Sequence, residues 1–254
     1  MFARTTALLL VCTTLLACER PGAEQAGPAG QAKNNTAPSA AASAPAASSV
    51  AAPPAVPAPS ASGPSTPGIS FAIVKDAAKV PAFAKTTGKL ELAITWTDKN
   101  GQNAATFGRR KGQAKDDDGT MFNSEYLTVE HTVSQGGATR TLRTVNDHVD
   151  KCELDLILTV LDASLSVTDL DGDGMGELTF GYKLACVSDV SPVDMKLLML
   201  ENGDKYILRG TDRIPKMGSE PAMGGSYKVD PSFQNAPPTF LPHAKAVWER
   251  IKRR

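Results

Sequence analysis

The chain has 254 residues with 27 basic and 27 acidic side chains, a formal net charge of zero. That balance leaves no electrostatic footprint for nucleic acid or for an anionic membrane surface, so charge alone recommends neither as a partner. Once its N-terminal segments are set aside, the length suits one well-buried domain and is short for two.

Residues 1–17 read as an export signal, with Arg4 as the positive start and Thr5 to Ala17, "TTALLLVCTTLLA", as an apolar run. That run is shorter than the roughly 20 residues a membrane-spanning helix needs. It closes in "LLAC", which resembles the lipobox of bacterial lipoproteins: Leu15 and Ala17 precede Cys18, the residue that would be diacylated and become the mature N-terminus. Leu16 stands where that family usually has a small residue, and ordinary secretory cleavage with Cys18 as a leftover thiol is the competing reading. Acyl chains contribute about 0.8 kcal/mol per buried methylene, so a lipidated Cys18 anchors the protein to a membrane without any spanning helix. Glu19 follows where an Asp would signal inner-membrane retention, so the resemblance implies the outer membrane of a cell envelope.

Residues 18–69 form a tether, dominated by Ala, Pro and Ser from Ala37 to Gly68. Such a composition has too little apolar surface to offset the entropy of ordering it, and a disordered linker is expected. Its reach is on the order of 150 Å fully extended and ~40 Å as a coil.

Residues 70–254 carry mostly period-two patterns. In "KLELAITWTD", Leu90, Leu92, Ile94 and Trp96 alternate with Glu91, Thr95 and Thr97, and Asn100-Gly101 follows as a hairpin signal. "EYLTVEHTV" alternates again, with Leu127, Val129, His131 and Val133 on one side, before a Gly136-Gly137 turn into "ATRTLRTV". "DMKLLMLENGDKYILRG" reads as a hairpin around Asn202-Gly203. Between Thr211 and Pro238 no period emerges, and loop is expected. At the end, Ala244, Val247, Trp248 and Ile251 fall on one helical stripe behind Pro242, predicting an amphipathic helix over 243–254. The expected fold is mainly β: an antiparallel sheet or sandwich with a docked C-terminal helix.

Cys152 and Cys186 lie on apolar faces of two strand-like segments. Pairing those strands antiparallel with Cys152 opposite Cys186 also sets Leu154 against Leu184 and Leu158 against Phe180, and an exported protein meets an oxidising compartment. A disulfide follows from that register. Two free thiols remain the alternative, because "LSVTD", Leu165 to Asp169, would hold the cysteines too far apart if it lay between the two strands.

The most chemically suggestive stretch is "DLDGDGMGEL". Asp169, Asp171 and Asp173 stand at alternate positions, Gly174 permits a sharp turn, the Met175 carbonyl comes next in order and Glu177 follows. Hard oxygen donors in this order suit calcium, which takes roughly six to eight, so a water or a group from elsewhere must complete the shell. An EF-hand would need a glutamate where Phe180 stands. The stretch is closer to the calcium loops of FG-GAP and VCBS-type repeats, with Glu177 in place of their usual aspartate; an acidic turn bonding its own backbone is the alternative.

"WTDKNGQN", taken with the stretch from Asp169 to Leu200 and with "KYILRG", looks like a family of exported bacterial proteins linked to surface polysaccharide biosynthesis. That resemblance implies an envelope role and brings no catalytic residues with it. The chain contains no "HExxH", "GxSxG" or "SxxK". His131 reads as a core histidine, His148 as part of a solvated loop, His243 as a surface residue and Asp116 to Asp118 as an exposed turn. The expectation is an envelope lipoprotein whose calcium- and disulfide-stabilised domain binds an envelope protein or glycan. The alternative is a calcium-dependent hydrolase or transferase acting on envelope polysaccharide.

Overall fold

The computed structural model describes residues 68–253. The signal segment, Cys18 and the tether up to residue 67 lie outside the described residues. The architecture is mainly β, as the period-two patterns require. The first sheet is an antiparallel meander in sequence order: β1 (Phe71–Val74), β2 (Lys89–Asp98), β3 (Gly101–Lys115), β4 (Met121–Gln135) and β5 (Ala138–Cys152). The chain then crosses to a second antiparallel sheet through β6 (Asp155–Val160), β7 (Ser166–Thr168), β8 (Glu177–Val187), β9 (Asp194–Glu201) and β10 (Asp204–Thr211). Arg213–Ile214 (β11) and Met223–Gly224 (β12) pair with each other, and Tyr227–Val229 (β13) adds to the edge of β10. The stretch after Thr211, expected as loop, thus holds three short strands and a 3-10 turn over Pro231–Asn235; they are too brief to show a period.

The turns behave as their residues dictate. Asp98 pairs with Gly101 across the first hairpin, and Gly101 takes a φ of 112°, open to glycine at little cost. Glu201 pairs with Asp204 around Asn202 and Gly203, whose φ values of 42° and 97° define a two-residue turn of the kind that Asn-Gly favours. A bulge between Leu90 and Leu92 breaks the alternation of β2. Leu92, Ile94 and Trp96 therefore enter the core while Leu90 is left half-buried.

Two cores result. Between the sheets, Leu92, Ile94, Phe107, Leu127 and Val129 meet Leu158, Leu178, Phe180, Leu198 and Leu200, with Phe107 and Phe180 in edge contact at 5.1 Å between ring centres. On the far side of the second sheet, Met195, Leu197 and Met199 meet the helix α1 (Phe240–Ile251). Strand β9 is therefore covered on both faces, which is why "MKLLML" reads as an almost unbroken apolar run. The four stripe residues Ala244, Val247, Trp248 and Ile251 are all buried, each large one contributing roughly 1.5–3 kcal/mol. The helix begins at Phe240, ahead of the expected start, because Phe240 is itself buried against Tyr206. It sits so close that a Cβ on Gly181 would come within 2.8 Å of Ile251 Cδ1.

Cys152 and Cys186 form a disulfide, with Cα atoms 5.5 Å apart. The register behind the expectation differs. Leu184 pairs with Leu158 rather than Leu154, and Cys186 pairs with Leu156. Cys152 belongs to the first sheet, as the last residue of β5, and Lys151 with its φ of 50° turns the chain there. The bridge thus joins the two sheets instead of spanning neighbouring strands. The difficulty over "LSVTD" dissolves as well, since β7 pairs with β8 at Glu177 to Thr179, beyond the stretch of β8 from Tyr182 to Val187 that β6 occupies.

Candidate metal centre

The acidic loop closes the β7–β8 hairpin. Thr168 pairs with Glu177 at its base, and Gly172 and Gly174 take φ values of 79° and 85° within it. Each aspartate bonds the loop's own backbone with one oxygen: Asp169 Oδ1 accepts from the Gly172 N–H at 2.8 Å, Asp171 Oδ1 from Asp173 at 3.1 Å and Asp173 Oδ1 from Met175 at 2.7 Å. These turn bonds fix one oxygen of each carboxylate on the loop's own backbone and account for the alternate spacing.

Two neighbouring turns brace the loop. From the β2–β3 hairpin, Asp98 Oδ2 accepts from the Gly176 N–H at 3.0 Å and from Trp96 Nε1 at 2.8 Å, while the Lys99 N–H donates to the Gly174 carbonyl at 2.9 Å. Lys99 Nζ donates to the Asp173 carbonyl at 3.1 Å. Asn100 Nδ2 lies 3.2 Å from both Met175 Sδ and Asn202 Oδ1, tying loop and β9–β10 turn together. Arg143 of β5 holds that turn by donating from Nε to the Gly203 carbonyl at 2.6 Å.

The candidates read from the sequence come together in part. Asp169, Asp171 and Glu177 offer carboxylate oxygens that all lie within 4.8 Å of one another. A second group at the same spacing is Asp171, Asp173 and Glu201. Glu201, at the end of β9, has no place in the loop motif. Its only signal in the sequence is a glutamate closing an otherwise apolar run. Met175 lies in the loop with its N–H on Asp173 and its sulfur against Asn100.

The two glutamates are buried and surrounded by like charge. Burial, followed by the nearby Glu201 and Asp171 carboxylates, pushes Glu177 up to about 7, against the opposing bonds from Leu170 and Thr168. Burial and the Asp171, Asp173, Asp204 and Asp169 carboxylates push Glu201 up to about 7 as well. A bound cation would reverse that repulsion.

The histidines divide. His131 is a core residue, 1% exposed, with its ring 5.0 Å from that of Trp96. His148 lies within strand β5 and not in a loop, stacked on Tyr126 at 5.6 Å. His243 is half-buried, its Nε2 3.4 Å from Thr179 Oγ1, because the first turn of the helix packs onto β8. Asp116 to Asp118 form an exposed turn. Comparison of the chain with models of protein families, with curated proteins and with solved structures gave no match.

Proposed function

We propose that this protein is a lipoprotein of the cell envelope, anchored to the outer membrane through a lipidated Cys18, whose β domain is held rigid by calcium and serves as a binding or accessory module, in the assembly of surface polysaccharide. The observation that carries the reading is the convergence of carboxylates at one end of the sandwich, on a loop braced by two hairpins. A hard, oxygen-only donor set of this kind suits calcium better than softer metals. The "LLAC" sequence and the Cys152–Cys186 bridge both support a location outside the cytosol, where disulfides persist and calcium is plentiful.

Calcium that binds the folded chain and not the unfolded one stabilises it by about 2.7 kcal/mol at 100 times its dissociation constant. The full chain should therefore melt higher in millimolar calcium than in chelator, and Asp171→Ala should abolish that shift while still folding. Identical melting curves in calcium and in chelator would exclude the metal. Cys18→Ala should move the protein from the membrane fraction to a soluble one; retention in membranes washed with high salt would exclude the lipid anchor.

A further inference from the structure

Glu177 and Glu201 approach the acidic loop from different directions, and their hydrogen bonding differs. Both oxygens of Glu177 lie 3.0 Å from the Leu170 N–H, and Oε2 also accepts from Thr168 Oγ1 at 2.9 Å. Its carboxylate is engaged in closing the loop. Glu201 is only 8% exposed, its Oε1 is buried with no hydrogen-bond partner, and its carboxylate faces those of Asp171 and Asp173 within 4.8 Å. A buried carboxylate oxygen left bare is unfavourable unless something neutralises it. Asp171 and Asp173 each give Oδ1 to the loop backbone, so the second oxygen of each carboxylate is not spent on the loop's own turns.

We propose that the calcium ion is held between the acidic loop and the β9–β10 hairpin, with Asp171, Asp173 and Glu201 as ligands, and that Glu177 is a positioning residue that shapes the loop. This assignment rests on the calcium reading above and changes what the ion does. A cation confined to residues 169–177 would order one loop; a cation reaching Glu201 clasps that loop to the strand pair carrying Asn202 and Gly203. The sequence motif then supplies only half of the site.

Calorimetric titration of the full chain with calcium chloride tests this. Glu201→Gln keeps the shape of the side chain and removes its charge; it should weaken calcium binding at least tenfold, while its melting temperature in chelator should equal or exceed that of the wild type. Glu201→Asp, which keeps the charge and withdraws it by one methylene, should also bind at least tenfold more weakly, and it serves if the glutamine variant does not fold. Wild-type affinity in a folded Glu201 variant, together with lost binding in Asp171→Asn, would place the ion in the loop alone; this assignment would fail and the calcium reading would stand. If the wild type binds no calcium at millimolar concentration, both fail together.

Discussion

Lowering the pH should destabilise the domain through His131. The amide of Asn103 donates from Nδ2 to the Gly101 carbonyl at 3.1 Å, so its Oδ1 faces the imidazole, 2.9 Å from Nε2. Nε2 therefore carries the proton, and Nδ1, buried without a partner, holds a bare lone pair. Protonating Nδ1 would put an unanswered N–H and a charge into the space between the sheets. Burial is the main reason the ring is held from 6.5 down to about 4, with Arg140 adding to the depression and Asp98 opposing it. Above pH 6.5 the ring is neutral in both the folded and the unfolded chain and its contribution is fully present. As the pH falls from 6.5 towards 4, the unfolded chain takes up a proton that the folded one refuses, so stability declines, and below about 4 the loss levels off. The depression corresponds to roughly 3 kcal/mol. Urea denaturation in chelator should be followed at several pH values for the wild type and for His131→Leu, which removes the titrating group at a fixed cost from Asn103. The stability difference between the two should shift by that amount across the window, in the direction that hurts the wild type at low pH. Parallel pH curves would refute the argument, because they would mean that the ring accepts its proton as easily in the core as in water.

Replacing the cysteines together, Cys152→Ala with Cys186→Ser, should cost about 4 kcal/mol by the entropy of a loop with a sequence separation of 34, and guanidinium midpoints read the loss. Unreduced, denatured chain should show no thiol-reactive label at either position; labelling at both would dissolve the bridge. Gly181→Val should cost about 1–3 kcal/mol, since its Cβ alone already meets Ile251 Cδ1 and the Lys196 carbonyl. An unchanged melting temperature in that variant would mean that the helix does not sit on β8 as described.

Much of the architecture was legible because the residues that mark turns also fix local pairing. Asn202-Gly203 and Gly136-Gly137 close their hairpins where expected, and the stripe of Ala244, Val247, Trp248 and Ile251 packs as a unit. What alternation cannot convey is register. Sliding β6 along β8 by an even number of residues keeps every side chain on its face, so Leu184 meets an apolar partner whether Leu154 or Leu158 stands opposite. Opposing cysteines favour one register over the others, yet Cys152 ends a strand of the other sheet and takes no part in it. Glu201 was hidden for a related reason: a motif lists neighbours in sequence, whereas the oxygen facing Asp171 and Asp173 comes from a separate hairpin. His243 reads as solvent-facing from sequence because nothing local to a helix start shows the sheet that packs beneath it.

The position of the bridge also sets an order of events as the chain emerges from its N-terminus. All five strands of the first sheet are joined to neighbours in sequence and end at residue 152, so every strand of that sheet precedes Cys186 in the chain. Cys186 arrives on β8, which gains its central place in the second sheet only when β9 has followed. Because the bridge spans the two sheets, oxidation of the correct pair is expected to follow their stacking and to latch it. Covalent closure in this molecule should mark the end of assembly, and a population caught with Cys152 still reduced should be one whose halves have formed and not yet met.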